Sequence, residues 1–325
     1  MAEQNNLRKL GQTGLMLSPV GLGTWQFSKR QNMAGKFWPT LSDEQSYAII
    51  ETSYKHGANW FDTAELYGNG ESERTLARGL KKAGISNEEV YIATKWSPIF
   101  RTAGSILKTI DDRLNALDGY SISLHQVHNP MSFSPVAKEM QNMAKLVVDD
   151  KIKYVGVSNF SAKQMRKAHT ELKKYGYVLA SNQVHYSLLK RKIEFNGVME
   201  TAKELGIAII AYSPLAQGAL TGKYHQSPET LKSKEGFRKR MPMFKQKSLE
   251  KSRPLIEKLK QIAQIHEVTP AQVALNWLLH FHGEQVFVIP GASKPEQAES
   301  NAGAMNFRLS EPEMKLLDEE SRKIQ

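Results

Sequence analysis

The sequence predicts a (β/α)8 TIM barrel that carries an N-terminal β-hairpin and extra helices. Short apolar runs alternate with amphipathic helical patterns along almost the whole chain, and there are eight such runs. The length of 325 residues suits one barrel of roughly 250 residues with insertions. Because alternating strands and helices form parallel sheets, and eight units favour closure, we expect residues 1–325 to form a single barrel domain.

The predicted elements follow one another in a regular order. A hairpin over residues 7–20 comes first, because polar and apolar residues alternate there around the turn sequence GQTG. The eight continuous apolar runs, typical of strands buried on both faces, lie at 20–24, 59–62, 90–95, 122–128, 153–157, 180–184, 207–212 and 286–290. Helical patterns lie at 43–56, 71–82, 104–117, 135–148, 161–174, 191–205, 270–279 and 295–304. Two further patterns, at 249–266 and 311–322, exceed what a barrel needs and are interpreted as the extra helices.

Three of the predicted helices begin with recognisable capping residues. Ser42 precedes two acidic residues, Ser161 follows a strand, and Thr269 stands before a proline at the first helical position. These residues predict where the corresponding helices start.

The composition excludes several kinds of protein. The chain has no cysteine, which excludes disulfides, thiolate zinc sites, iron–sulfur clusters and cysteine nucleophiles. No stretch approaches the roughly 18 uninterrupted apolar residues that a membrane span needs, and the first ten residues are polar. We therefore expect a soluble cytoplasmic protein with no membrane partner.

The net charge of +11 is concentrated in one segment. Residues 232–253 hold nine lysines and arginines against two glutamates, and they overlap a long connection at about 213–248. The segment is interpreted either as a solvated loop or as a basic flap near an anionic cofactor or partner. Aromatic residues are sparse in it, which makes nucleic acid an unfavoured partner.

Polar side chains stand at the ends of neighbouring predicted strands, where the catalytic groups of such barrels lie. Asp62, with Tyr67 in the following loop, Lys95 and His128 supply an acid, a phenol, an amine and an imidazole. An ammonium beside a phenol lowers its pKa and makes it a better acid, while the imidazole hydrogen-bonds a carbonyl. This set indicates general acid catalysis at a polarised carbonyl, although each residue alone also suits a cap, a loop or a packing role.

Metal and Rossmann-type sites are not predicted. His125 and His128 are three positions apart, and this odd spacing places them on opposite faces of a strand. The glycines near residues 21 and 68 do not complete a dinucleotide fingerprint. A dinucleotide would therefore have to bind without a Rossmann domain.

Several motifs together indicate a family. They are RKLGQTGLMLSPVGLGTW (8–25), WFDTAELYGNG (60–70), IATKW (92–96), HQVHNP (125–130), KYVGVSNF (153–160), SNQVHYS (181–187), YSPLAQGALTGKY (212–224) and IPGASKPEQAESNAGAM (289–305). In these segments the chain resembles the aldo-keto reductases over nearly its whole length. The resemblance implies that Asp62, Tyr67, Lys95 and His128 form the catalytic tetrad, the same residues that the strand ends indicate.

The resemblance also implies NADPH lying across the barrel mouth. The nicotinamide end would contact Ser158, Asn159, Gln183 and Tyr212, and the pyrophosphate would lie along Ser213, Leu215, Gly218, Leu220 and Lys223. The adenosine end would be held by Gly291, Ser293, Lys294, Gln297 and Asn301. A hydroxyl and an ammonium at a helix N-terminus suit a 2′-phosphate. Better-studied branches have a lysine at the position of Gly291 and an arginine at the position of Gln297. Fewer positive charges are therefore available here to hold the phosphate, which leaves NADH as an alternative cofactor.

The implied function is NADPH-dependent reduction of aldehydes or ketones, with a small carbonyl compound as partner. Aromatic residues on the loops are candidates for substrate contact, with rim packing as the alternative: Trp25, Phe27, Trp38, Trp96 and Phe100. Some motifs resemble the bacterial and plant branch that includes potassium-channel β-subunits. The alternative function is therefore an NADPH-binding, redox-sensing partner protein. The sequence leaves the physiological substrate, the direction of reaction and the oligomeric state open.

Overall fold

The computed structural model describes residues 7–29, 40–227 and 241–325. Within them, eight parallel strands form a nearly closed barrel surrounded by helices, which confirms the predicted (β/α)8 TIM barrel. The barrel strands are β3 (Leu22–Gly23), β4 (Trp60–Asp62), β5 (Tyr91–Trp96), β6 (Ile122–Val127), β7 (Tyr154–Ser158), β8 (Leu179–His185), β9 (Ala208–Tyr212) and β10 (Val286–Ile289). They follow one another around the sheet in chain order.

The sheet closes through short contacts between its first and last strands. Isolated parallel bridges join Val20 to Val288 and Gly23 to Gly291. A Cβ on Gly23 would lie 2.8 Å from the carbonyl oxygen of Ile289, so the close approach of the two strands requires a glycine. The first strand, predicted at 20–24, covers only the two residues of β3 in the structure.

The N-terminal hairpin packs against the end of the barrel where the strands begin. Strands β1 (Arg8–Lys9) and β2 (Met16–Leu17) pair antiparallel. Gly11, with φ of +55°, lies at the turn, where a Cβ would be 2.6 Å from the carbonyl oxygen of Ala180. Leu10 of the same hairpin is fully buried in a cluster that also contains Trp60 and Phe287. Apolar burial therefore fixes the hairpin against the barrel interior.

The helices are α1 (Asp43–Lys55), α2 (Glu71–Lys82), α3 (Gly104–Leu117), α4 (Val136–Val148), α5 (Ala162–Lys173), α6 (Val198–Leu205), α7 (Lys223–Gln226), α8 (Gln246–Ile265), α9 (Pro270–His280), α10 (Pro295–Ala302) and α11 (Glu311–Arg322). Ser42, Ser161 and Thr269 form capping boxes at α1, α5 and α9, as their sequence positions predict. Within the described residues, no helix combines the length and apolar character that crossing a membrane requires.

Two predicted segments differ in detail. The helix expected over 191–205 starts later, at Val198, because Gly197 has φ of +80° and interrupts it after a short 3-10 turn. The connection at 213–248 includes a 3-10 segment, Ala216–Thr221, and the short helix α7. Residues 228–240, which hold much of the predicted basic segment, lie outside the described residues.

Candidate active site

Three barrel strands end at one polar cluster. Asp62 is the last residue of β4, Lys95 is the penultimate residue of β5, and His128 directly follows β6. Lys95 is 0% exposed and its ammonium donates to the Asp62 carboxylate, to the carbonyl oxygen of Thr63 at 2.8 Å and to the Tyr67 hydroxyl at 3.4 Å. The predicted acid, amine and phenol are thus in direct contact.

Tyr67 is held by a tight loop between β4 and α2. Its backbone N–H donates to the carbonyl oxygen of Ala64 at 3.0 Å, and its carbonyl oxygen accepts from Ser72 N–H at 3.1 Å. Gly68 follows with φ of +67°, and a Cβ there would lie 2.3 Å from the carbonyl oxygen of Ser28. The glycine in the YGNG motif therefore allows the loop to lie against the first barrel loop.

Two glutamines complete the surroundings of the buried acid. Asp62 accepts a hydrogen bond from Gln183 Nε2 at 2.7 Å and from Gln126 Nε2 at 3.2 Å. Gln183 is among the predicted cofactor residues, whereas the sequence interpretation missed Gln126. A glutamine two residues before a strand-end histidine, and hence on the same face of β6, is the signal that could have identified it.

The pKa of Tyr67 differs from the sequence expectation. Burial raises the pKa of the Tyr67 phenol above its ordinary value, and the Lys95 ammonium only partly offsets that rise. Burial alone would lower the pKa of Lys95, but the Asp62 carboxylate and the Tyr67 oxygen raise it. Desolvation is a property of the folded site and outweighs the lowering by Lys95 that the sequence predicts, so the net shift of the phenol pKa is upward. At neutral pH the phenol carries its proton and the lysine is charged.

His128 is neutral in this site. Burial, and then the charge of Lys95, lowers the pKa of His128 to about 3. Its ring meets the Tyr67 ring edge-on, with centroids 5.7 Å apart. Its Nδ1 atom is buried and has no hydrogen-bond partner among the described residues. A neutral imidazole beside the phenol can donate one hydrogen bond to a ligand oxygen.

A cleft of about 800 Å³ runs across the barrel mouth from this cluster. Asp62, Tyr67 and His128 line one end of it, with Lys95 behind them. Most of the predicted cofactor residues line it as well: Ser158, Asn159, Gln183, Tyr212, Ser213, Leu215, Gly218, Lys223, Gly291, Ser293, Gln297 and Asn301. Leu220 is instead fully buried in the hydrophobic core, because the 3-10 segment turns its side chain inward, and Lys294 is exposed beside the cleft.

Polar side chains are linked to one another next to the end of the cleft that Tyr67 lines. The Tyr212 hydroxyl donates to Asn159 Oδ1 at 3.1 Å, and Asn159 Nδ2 donates to Asn129 Oδ1 at 2.9 Å. Asn159 has φ of +60° and Ser213 has φ of +50°. Such backbone strain in residues without glycine's freedom is common at binding sites.

The opposite end of the cleft is formed around the start of α10. Gln297 Oε1 accepts from Ser293 N–H at 2.9 Å and from Ser293 Oγ at 3.1 Å. The Gln26 amide occupies the space beside Gly291, where a Cβ would lie 1.9 Å from Gln26 Nε2. Gln26 and the carboxylate-bearing Glu296 also line the cleft and were missed by the sequence interpretation.

The structure separates the predicted substrate residues. Trp25 lines the cleft and stacks on Tyr67 with ring centroids 6.0 Å apart. Phe27 and Trp96 are each 1% exposed and belong to the hydrophobic core, which corrects their predicted place on the wall of the site. Trp38 lies outside the described residues, and Phe100 is 86% exposed. Burial of an aromatic ring is decided by neighbouring elements, so the sequence could not separate these cases.

Comparison with known proteins identifies the family. The Aldo/keto reductase family matches residues 19–322. The chain belongs to the aldo/keto reductase family. The aldo-keto reductase str7 of Strobilurus tenacellus is 32% identical to it over 313 residues, covering 94% of this chain and 89% of that protein.

Solved structures show the same fold for this aldo-keto reductase. The glycerol dehydrogenase of Gluconobacter oxydans superposes with a TM-score of 0.82 at 26% identity, covering 98% of this chain and 95% of that one. An aldo/keto reductase of Klebsiella pneumoniae, in complex with NADP and acetate, gives a TM-score of 0.74 at 23% identity, covering 97% and 94%. In the described part of this aldo-keto reductase, no group of three or more His, Asp or Glu residues could hold a metal ion.

Proposed function

We propose that this aldo-keto reductase is an NADPH-dependent oxidoreductase that reduces aldehydes or ketones to alcohols, with Tyr67 as general acid. The observation that carries the proposal is the contact of the Tyr67 hydroxyl with the buried ammonium of Lys95, beside His128 in the wall of the cleft. A proton donor and a neutral hydrogen-bond donor thus face one space, and a buried cation lies behind the proton donor.

The lining of the cleft supports NADPH as the cofactor. Ser158, Asn159 and Gln183 supply hydroxyl and amide groups beside the tetrad, and Tyr212 supplies an aromatic ring. Lys223 lies farther along, and Ser293 and Gln297 stand at the start of α10, where an anion is favoured. When bound, NADPH supplies the hydride that reduces the carbonyl carbon. With Glu296 also in the wall and Lys294 exposed, NADH is retained as an alternative cofactor.

The four tetrad residues divide the proton chemistry. His128, neutral because its pKa lies at about 3, donates a hydrogen bond to the carbonyl oxygen and orients it. Tyr67 holds its proton at neutral pH and gives it to that oxygen as negative charge develops. The ammonium of Lys95 then stabilises the phenolate, while Asp62 keeps Lys95 charged and in place. In the reverse direction the same phenolate accepts the proton of an alcohol.

The decisive experiment compares wild type with Tyr67→Phe at the nicotinamide absorbance band, using NADPH or NADH and a panel of aliphatic and aromatic aldehydes. Turnover should fall by about 10²–10⁴ in the variant while NADPH still binds. Tyr175→Phe, at a half-exposed tyrosine outside the cleft, serves as the control. Unchanged turnover in Tyr67→Phe would refute the mechanism. Tight NADPH binding without turnover on any carbonyl would instead support the redox-sensing partner protein.

A further inference from the structure

A buried ion network lies directly behind the loop that carries Tyr67. It consists of Glu65, Glu73 and Arg113, which are 6%, 0% and 8% exposed. Glu65 and Glu73 flank the catalytic loop, whereas Arg113 comes from the middle of α3. None of the three lines the cofactor cleft. Buried charges are costly unless they are paired. The pairing of these three side chains therefore constrains the loop between Glu65 and Glu73.

Glu65 connects the start of the loop to neighbouring elements. It accepts hydrogen bonds from Ser97 N–H at 2.5 Å, Arg101 Nη1 at 2.7 Å and Arg113 Nη1 at 2.9 Å. Its own N–H donates to the carbonyl oxygen of Lys95 at 3.3 Å. The start of the loop is therefore joined both to the catalytic lysine and to α3.

Glu73 connects the end of the same loop to the strand that carries the lysine. It accepts from Thr94 Oγ1 at 2.6 Å, and its other oxygen forms an ion pair with Arg113 Nε at 2.9 Å. Thr94 directly precedes Lys95 in β5. One guanidinium therefore joins both ends of the loop, through a hydrogen bond to Glu65 and an ion pair with Glu73.

The loop lies close against this guanidinium. Gly70 has φ of +82°, and a Cβ there would be 3.2 Å from Arg113 Nη2. The loop is closed by a hydrogen bond from Gly70 N–H to the carbonyl oxygen of Glu65 at 2.9 Å. A change in the position of Arg113 would therefore be passed to the backbone on either side of Tyr67.

We propose that Arg113 is a positioning residue that holds Tyr67 against Lys95 by joining Glu65 to Glu73. This inference rests on the function proposed above. The contact from Lys95 Nζ to the Tyr67 oxygen is already 3.4 Å long, so a small shift of the loop breaks it. A misplacement of about 1 Å costs roughly 10²-fold in rate, which sets the scale of the expected effect.

The test compares Arg113→Met and Arg113→Lys with a matched control. Arg166→Met removes an arginine that pairs with Glu204 through two contacts of 2.6 Å, on the exposed surface between α5 and α6. In Arg113→Met we expect kcat to fall about 10- to 100-fold with NADPH affinity unchanged. The deuterium isotope effect on kcat with 4-deuterated NADPH should rise. Arg113→Lys should recover part of kcat, because an ammonium retains the charge but not the fork.

A second measurement does not depend on turnover. Hydrogen exchange of the cofactor-free protein, followed by mass spectrometry, should be faster in the peptide covering residues 63–73 of Arg113→Met and unchanged in Arg166→Met. If Arg113→Met does not fold, the same measurements on Arg113→Lys decide the question.

The outcomes separate the two proposals. The positioning role alone is refuted if the wild type is active and Tyr67→Phe is not, while the folded Arg113 variants keep the kcat and the hydrogen exchange of the wild type. A wild type with no turnover refutes the proposed function, and this inference with it.

Discussion

Replacing Lys95 by methionine should have two separable effects, on stability and on catalysis. The ammonium is fully buried and donates to Asp62, to the carbonyl oxygen of Thr63 and to Tyr67. Methionine has a similar length but no donor, so the variant leaves the Asp62 carboxylate buried with only its two glutamine donors. Removing one partner of a buried ion pair costs about 3–5 kcal/mol, a large part of a typical stability of roughly 5–15 kcal/mol.

The catalytic effect of the same change follows from the pKa of Tyr67. Burial raises that pKa, and the charge of Lys95 is the main contribution that lowers it. Without the ammonium the phenol becomes a weaker acid and its phenolate loses its counter-charge. Turnover should therefore fall by about 10²–10⁴, even at temperatures where the variant is fully folded.

Urea unfolding followed by circular dichroism measures the first effect, and NADPH consumption measures the second. Lys151→Met provides the control, because that lysine forms an exposed ion pair with Asp111 worth at most about 1 kcal/mol. The double variant Lys95→Met, Asp62→Asn should regain part of the lost free energy of unfolding without regaining turnover. The argument from the buried ion pair would be refuted if the free energy of unfolding of Lys95→Met were within about 1 kcal/mol of wild type and the double variant showed no increase over Lys95→Met.

Two further predictions concern stability alone. Gly11→Ala should lower the free energy of unfolding by at least about 2 kcal/mol in urea, because a positive φ and a clash with backbone oxygens combine there. Gly84→Ala is the control: Gly84 also has a positive φ, of +69°, but a Cβ there would have no atom within 4 Å, so only the smaller conformational cost is expected. Equal losses of unfolding free energy in the two variants would contradict the packing of the hairpin. His125, whose pKa burial lowers to about 3, is neutral when folded but takes up a proton when unfolded below about pH 6.5. Stability should therefore decrease as the pH is lowered from about 6.5 to about 3, by up to about 1.4 kcal/mol per pH unit from this group. Unfolding at several pH values should show a shallower dependence in His125→Asn, and parallel slopes would contradict this prediction.

Much of the barrel could be predicted because its signals are local. Continuous apolar runs mark strands buried on both faces, and Ser42, Ser161 and Thr269 mark helix starts through contacts made within one turn. The cluster of Asp62, Tyr67, Lys95 and His128 could be predicted for a related reason. The carboxyl ends of the parallel strands β4, β5 and β6 lie at one edge of the barrel, so the polar side chains that stand there must meet.

Other properties of the site depend on which distant residues become neighbours. Trp25 and Trp96 both follow the pattern of a loop aromatic, yet one lines the cleft and the other lies in the core. Leu220 has the sequence context of a cofactor contact but points into the core. Gln126 lies within the HQVHNP motif, but its contact with Asp62 forms only because β6 and β4 lie on either side of β5.

The strand order and the helix caps could be predicted from the chain alone, because they follow from periodicity and from hydrogen bonds within one turn. The meeting of Asp62, Tyr67, Lys95 and His128 could be predicted because parallel strands end at a shared edge. The direction of the pKa shift of Tyr67 could not, since desolvation depends on everything packed around the phenol. Neither could the contacts of Arg113, which lies in a helix 46 positions later in the chain and joins the two ends of the Tyr67 loop. Burial and long-range ion pairing are set by contacts between elements, which no local pattern in the chain encodes.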